Sequence, residues 1–287
     1  MSFPRRLASL LETIYRHPYN RKRPFFALYR LLRWQADKRL RRGPIVYRFW
    51  KDRLAICYPD SEQTMWLVYH YVMDWEEFHL IADTLKPGGV AFDVGANIGS
   101  YMLWMSRFVK NGRIVCFEPD PKNFARCSDL VRLNRLEPVV SVERLALSDK
   151  KGALLFSQGR DRQNHLIPEG ARPAGDALAV EAVTLDDYCA ARGIERIDYL
   201  KMDVEGAELF VLRGARRLLE GRRIALIQFE LNTQVEKYGI APSALTDLLR
   251  ANGFRICRYD VKAKRLRECA PEDYRENLFA SLGQAVV

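Results

Sequence analysis

The stretch VAFDVGANIGSYMLWMSR, Val90 to Arg107, decides the fold. An apolar run ends in an acid, Asp93. The tight turn Gly95-Ala96-Asn97-Ile98-Gly99 follows, and then an amphipathic segment. Strand, turn and helix in that order build a nucleotide site. The glycines let backbone approach a ligand, and the helix starting near Ile98 offers free N–H groups. The turn is not a P-loop, because no Gly-Lys-Ser/Thr follows. It also lacks the middle glycine of the dinucleotide fingerprint, which a pyrophosphate needs. An acid just ahead of the turn would repel a pyrophosphate and suits a ligand carrying a cationic amino acid.

Outward from this turn, strands and helices alternate. The patterning predicts strands near 90–94, 113–118, 139–145, 197–202, 224–230 and 254–259, and helices near 98–109, 121–133, 206–219 and 241–252. This is the alternation of an α/β fold with a mostly parallel central sheet and helices on both faces. Two further runs, at 153–157 and 177–185, read as strands of an excursion. The polar, Gly- and Pro-rich segment between them is long enough to be functional.

Upstream, PRRLASLLETIYRHP puts Leu7, Leu10, Leu11, Ile14 and Tyr15 on one helical face. PFFALYRLLRWQADKRLRR repeats the pattern with Phe25, Leu28, Tyr29 and Leu32. Two short strands are predicted around Lys51-Asp52, and a helix over Asp74–Leu85 with Asp74 as its cap. The expected organisation is therefore a basic, mostly helical N-terminal extension over 1–88 and a nucleotide-binding domain over 89–287.

In open α/β sheets, ligands bind at the carboxyl ends of the strands. Asp93, Glu118, Asp203 and Glu230 each fall at such an end. A single acid there reads equally well as a helix cap, but four on one rim point to a ligand site. Glu118, at the tip of the second strand in VCFEPDP, can accept hydrogen bonds from both hydroxyls of a ribose. The glycine turn plus this acid leaves NAD and S-adenosylmethionine both open.

The segments DVGANIGSYML, IVCFEPDPKNFARCSDLVRLN, ERLALSD, VTLDDYC, IDYLKMDVEGAELFVLRGA and IALIQFELN follow in this order. Together they resemble the FkbM family of S-adenosylmethionine-dependent methyltransferases, class I enzymes with a Rossmann-like fold. The resemblance covers roughly Val90 to Phe254. It implies that Asp93, Gly95, Asn97 and Gly99 surround the methionine part of the cofactor and that Glu118 binds the ribose, with Asn123 nearby. Ala146 and Ser148 would border the adenine, and Asp203 would sit beside the sulfonium end. It also implies an oxygen nucleophile, a hydroxyl of a sugar, glycan or natural product; a lipid-linked acceptor would suit the basic N-terminal segment. An NAD-linked oxidoreductase and a non-catalytic, membrane-associated scaffold are the competing readings.

An alcohol has a high pKa, so a general base would help the transfer. His165, in the long segment, leads as that base. Asp203, Glu205 and Glu230 could supply it instead, or bind a divalent cation that lowers the alcohol pKa. No metal is expected as a fixed component.

The chain of 287 residues has 46 Lys/Arg against 36 Asp/Glu. Residues 1–48 hold 13 of the basic residues and 2 of the acidic ones, so the excess charge sits there and the body is near neutral. A nucleic-acid enzyme more often carries its basic face on the body, so no nucleic-acid partner is expected. The basic segment, with Phe25, Phe26, Tyr29 and Trp34, suits peripheral contact with anionic membrane. The six cysteines form no C-x-x-C pair and read as reduced thiols. No clear signal peptide or 18-residue apolar run is present. A cytoplasmic protein, peripheral at the inner face of the membrane, is the expected place.

Overall fold

The computed structural model describes residues 3–159, 164–168, 170–173, 175–231, 233–241, 243–274 and 277–283. The chain divides into two compact units, Met1–Phe78 and His79–Val287, so the division falls ahead of the expected boundary at residue 88. The first unit opens with helices α1 (Phe3–Arg16), α2 (Pro18–Arg21) and α3 (Pro24–Leu40). Proline starts both α2 and α3, where its missing N–H costs nothing. The predicted hairpin follows as β1 (Ile45–Phe49) and β2 (Arg53–Cys57), paired from Ile45↔Cys57 to Phe49↔Arg53. Helix α4 (Glu62–His70) was not anticipated. Its signal is Ser61, whose side chain accepts from the Thr64 N–H.

In α3 the buried residues are Ala27, Arg30, Leu31 and Trp34, while the face read from the sequence, Phe25, Leu28, Tyr29 and Leu32, is exposed. Arg30 is buried because it closes the end of α4. It donates to the Val68 and Tyr69 carbonyls and to Asn20 Oδ1 at 2.7–2.9 Å. In α1, Ile14 is buried as the pattern requires, while the Leu7 side chain lies outside the described residues.

Helix α5 (Trp75–Thr84) leads into the second unit. There the chain runs β3 (Val90–Val94), α6 (Ser100–Met105), β4 (Arg113–Phe117), α7 (Pro121–Asn134) and β5 (Val140–Glu143). The excursion supplies β6 (Ala146–Leu147), β7 (Gly152–Ser157) and β8 (Ala177–Val183). Then come α8 (Leu185–Ala191), β9 (Tyr199–Met202), α9 (Glu208–Arg213), α10 (Arg216–Glu220) and β10 (Leu226–Glu230). A 3-10 turn over Thr233–Tyr238, α11 (Ala244–Ala251), β11 (Arg255–Asp260), β12 (Arg265–Glu268) and β13 (Asn277–Ser281) complete it.

The central sheet has the order β12-β11-β13-β10-β9-β3-β4-β5. The ladders joining β10, β9, β3, β4 and β5 are parallel. β13 inserts antiparallel between β10 and β11. The dinucleotide fold keeps its sixth strand in that place and parallel, so the C-terminal antiparallel insertion separates this chain from it. The β6-β8-β7 sheet of the excursion is separate. Phe92, Leu200, Met202, Ile227 and Phe229 lie in one core cluster within the second unit.

Two elements differ from expectation for a local reason. The single helix predicted over 206–219 is broken into α9 and α10, because Gly214 abuts another backbone: a Cβ there would lie 2.1 Å from the Ser148 carbonyl oxygen. The strand predicted to 185 stops at Val183, where Thr184 caps α8 by accepting from Asp187 N–H.

Candidate functional site

The chain leaves β3 to one side of the sheet and β9 to the other, so the crevice between their carboxyl ends is the switch point where such folds bind ligands. In the β3–β9 ladder Asp93 pairs with Lys201, and in the β9–β10 ladder Lys201 pairs with Gln228. Opposed residues of parallel strands share a face, so a polar row crosses the centre of the sheet. Asp93 and Lys201 are both buried, and the ammonium lies 3.1 Å from Asp93 Oδ1. It also donates to the Gly95 carbonyl at 2.9 Å, lies 3.6 Å from Asp203 Oδ2, and sits 4.9 Å from the Tyr101 ring centre. Gln228 donates to Tyr101 Oη and accepts from Tyr199 Oη, so the row is hydrogen-bonded at its far end too. Burial pushes the Asp93 carboxyl up, and Lys201 pulls it back.

Asp93 is fully buried, and the Lys201 ammonium is the cation beside it. Gly95, the next candidate, is required by the same geometry. Its φ is +76° and a Cβ would stand 1.9 Å from the Asp203 carbonyl oxygen, so the turn is pressed onto the end of β9. Gly99, at φ +81°, starts α6.

Glu118 sits one residue past β4 and is buried. Its Oε2 accepts from the Asn97 N–H at 2.7 Å, and its Oε1 accepts from the Asp120 N–H at 2.9 Å. The carboxylate therefore ties the glycine turn to the start of α7, each oxygen keeping a further lone pair for a ligand hydroxyl. Burial pushes its pKa up to about 8, against the pull of the two N–H donors. Asn123 lies in the first turn of α7. Its N–H is capped by Asp120 and its side-chain oxygen takes a bond from Arg126 at 3.4 Å. Asn97, at φ +51°, is different: its Oδ1 is buried with no hydrogen-bond partner.

Beyond β9, the Asp203 side chain is 42% exposed. A carboxylate oxygen from each of Asp203, Glu205 and Glu230 falls within 4.8 Å of the others. Glu208 is buried instead. It accepts from the Val204 N–H at 2.9 Å, and burial raises its pKa to about 7.

The excursion reaches this turn through Ala146 and Leu166, which share a small core cluster with Ala207. Tyr238 Oη donates to the Leu166 carbonyl at 2.6 Å. His165 is held on β7: Ser157 N–H donates to its carbonyl, its own N–H donates to Ser157 Oγ, and Nδ1 lies 3.3 Å from that hydroxyl. Ser148 is buried; its N–H donates to the Val183 carbonyl and its own carbonyl lies against Gly214. Residues 160–163, ahead of His165 in the long polar segment, lie outside the described residues.

Sequence reasoning missed Lys201, Tyr101 and Gln228. The available signal was a lysine in the otherwise apolar run YLKM, since a strand covered on both faces does not hold an amine without a partner.

The residues present fit an adenosyl amino-acid cofactor. Gly95 allows close approach, the orphaned Asn97 Oδ1 can accept from an ammonium, and Glu118 can accept from a ribose. Parallel strands with an antiparallel insertion, a glycine turn at the switch point and an acid at the second strand end define a class I methyltransferase, not a dinucleotide oxidoreductase. The chain belongs to the FkbM methyltransferase domain family, whose model matches residues 93–256. It is an S-adenosylmethionine-dependent methyltransferase. It is 33% identical over 181 residues to the 2-O-methyltransferase NoeI of Sinorhizobium fredii, covering 57% of this chain and 72% of that one. It is 29% identical over 203 residues to the 31-O-demethyl-FK506 methyltransferase FkbM of Streptomyces tacrolimicus, covering 60% and 75%. Among solved structures it is similar to the methyltransferase FkbM of Methylobacillus flagellatus, at 17% identity and a TM-score of 0.42, covering 75% of this chain and 53% of that one.

Proposed function

We propose that the chain transfers a methyl group to a hydroxyl of a sugar, glycan or natural product, lipid-linked acceptors included. The names of its relatives support an oxygen acceptor. The observation that carries the cofactor half of the reading is Glu118, which joins the glycine turn to α7 and keeps lone pairs for a ribose. When bound, S-adenosylmethionine supplies a methyl group already activated by its sulfonium. The chain's task is then to align the acceptor, take its proton and exclude water. Gly95 and Asn97, with Gly99 starting the helix, cradle the amino-acid end, and Asp93 supports them from below through Lys201. Asn123, Ala146 and Ser148 flank the nucleoside side. Asp203 is the leading proton acceptor, being exposed at the switch point, with His165 and Glu205 as the further candidates. We assign no metal: a cation held by Asp203, Glu205 and Glu230 would show as turnover lost in EDTA and restored by Mg2+.

Calorimetry with S-adenosylhomocysteine tests the cofactor site. Binding of micromolar order, about 8 kcal/mol, is expected. Glu118→Ala should weaken it by about 1–3 kcal/mol through the lost charged hydrogen bonds. The ligand hydroxyls favour the ionised carboxylate, while the free protein holds its pKa at about 8. Affinity should therefore rise with pH as Glu118 deprotonates and level off above its free pKa, and the rise should vanish in Glu118→Ala. Folding linkage runs the opposite way. A carboxyl whose pKa is raised in the fold contributes its stability at low pH and loses it as pH climbs through the folded value. No binding of this ligand to folded protein at any pH would end the reading.

Asp203→Asn keeps the shape and removes the charge. It should bind S-adenosylhomocysteine within about threefold of wild type and lose about 10²-fold or more of turnover, the share a positioned base commonly supplies. Wild-type turnover in that variant would transfer the role to His165 or Glu205.

A cytoplasmic place, peripheral at the membrane through residues 1–48, belongs to the same reading. No helix among the described residues is long and apolar enough to cross a membrane.

A further inference from the structure

Helix α3 carries two apolar faces, and the fold uses one. Ala27, Leu31 and Trp34 are buried with Arg30. Phe25, Leu28, Tyr29 and Leu32 recur at three- and four-residue intervals on the opposite side. Phe25 is 86% exposed, Tyr29 53% and Leu32 60%, against 1% for Trp34. Leu40, also exposed, extends the ridge. The aromatic set read from the sequence is thereby divided: Trp34 belongs to the core and the others to the surface.

The ridge is bordered by cations. Arg21, Lys22 and Arg23 precede the helix, Arg33 and Arg39 lie along it, and Arg41 and Arg42 follow; all are exposed. Asp37 is the only acid between His17 and Lys51. It is taken up by Arg33, Arg41 and the Tyr47 hydroxyl. The field over this face is therefore positive.

We propose that the outer face of α3 docks on an anionic lipid bilayer, with Phe25, Leu28, Tyr29 and Leu32 in the headgroup–acyl boundary and the flanking arginines and lysines on the headgroups. An apolar crest with basic flanks is the geometry of a helix lying in a membrane interface. A nucleic-acid site would line its crest with cations on the phosphates, whereas here Arg39 alone continues the line of Phe25 and Leu32. A second copy of this chain would bring the same positive charge to the same ridge, whereas an anionic lipid surface complements both features. This names the face and the lipid class for the peripheral contact included in the functional reading, and it rests on that part alone.

Co-sedimentation of the full chain with vesicles tests it. Wild-type protein should pellet with phosphatidylglycerol vesicles at low salt, stay in solution with phosphatidylcholine vesicles, and be partly released as salt rises. Phe25→Glu/Leu32→Glu should lower the bound fraction about tenfold or more, because two apolar contacts become anionic. Arg39→Glu/Arg42→Glu should lower it and weaken its salt dependence. Both pairs are at exposed positions, so melting temperatures should match wild type. Glu118→Ala should bind vesicles like wild type, which separates this result from failure of the methyl-transfer reading.

The proposal is overturned if wild type ignores phosphatidylglycerol vesicles at low salt. It is overturned equally if Phe25→Glu/Leu32→Glu binds them unchanged. It also falls if sedimentation without lipid shows a dimer that this variant splits, or if wild type prefers a single-stranded RNA oligomer over the vesicles.

Discussion

Lys201→Met is expected to lower the melting temperature by about 10 °C and to abolish measurable binding of S-adenosylhomocysteine. The first effect follows from burial. Asp93 has no exposed surface, and the Lys201 ammonium 3.1 Å away is what compensates its charge. Removing one partner of a buried ion pair leaves the other uncompensated, at a cost of about 3–5 kcal/mol. For a unit of this size that corresponds to roughly 2–4 °C per kcal/mol. The second effect follows from position. The same ammonium holds the Gly95 carbonyl and stands beside Asp203, so its loss frees the turn and the strand end together.

The sign with pH is also fixed. Burial already pushes the Asp93 pKa up, and without Lys201 it rises further. A carboxyl raised in the fold keeps its stability contribution at low pH and loses it as pH rises through the folded value. The Lys201→Met defect should therefore be smallest under acid conditions and grow towards neutrality. The double variant Asp93→Asn/Lys201→Met removes both charges and should recover most of the lost stability without restoring ligand binding. A single variant as stable as wild type at neutral pH would show that the pair carries no such load.

The glycine turn and the strand-end acids were legible because their meaning is local. Five residues after an apolar run specify the turn, and Glu118 follows its strand by one position. Lys201 was not legible in the same way. Its meaning depends on which residue lies opposite it, and the ladder places Asp93 there, more than a hundred residues earlier in the chain. Helix α3 shows a second limit. Period-3.6 patterning finds an apolar stripe but cannot choose between two. Ala27, Leu31 and Trp34 were taken by the core, and the larger residues Phe25 and Leu32 were left outside. The site's acids show a third. Asp93 and Asp203 read alike as acids at strand ends, yet burial makes one a support and leaves the other half open. Their place on the strands separates them: Asp93 lies within β3, paired with Lys201, whereas Asp203 lies one residue past the end of β9.

Gly95→Ala is expected to remove cofactor binding with a stability loss larger than backbone strain alone can cause. Alanine at φ +76° pays the left-handed penalty, about 1–2 kcal/mol. The added Cβ would also lie 1.9 Å from the Asp203 carbonyl oxygen, far inside van der Waals contact, and that oxygen belongs to backbone. No rotamer change relieves such a clash, so the β3–α6 turn must lift from the end of β9. Lifting it strains the bonds that hold the turn: Lys201 to the Gly95 carbonyl, the Asn97 N–H to Glu118, and the Gly95 and Ala96 N–H groups to the Phe117 carbonyl. Gly193→Ala is the matched control. Its φ of +62° carries similar backbone strain, but nothing lies within 4 Å of the new Cβ. The control should lose only the strain and bind S-adenosylhomocysteine like wild type. Gly95→Ala should lose at least about 3 kcal/mol, strain and displaced contacts together, and show no binding by calorimetry. Equal melting temperatures for the two variants, or ligand binding retained by Gly95→Ala, would mean that the turn is not clamped between Lys201, Glu118 and the end of β9.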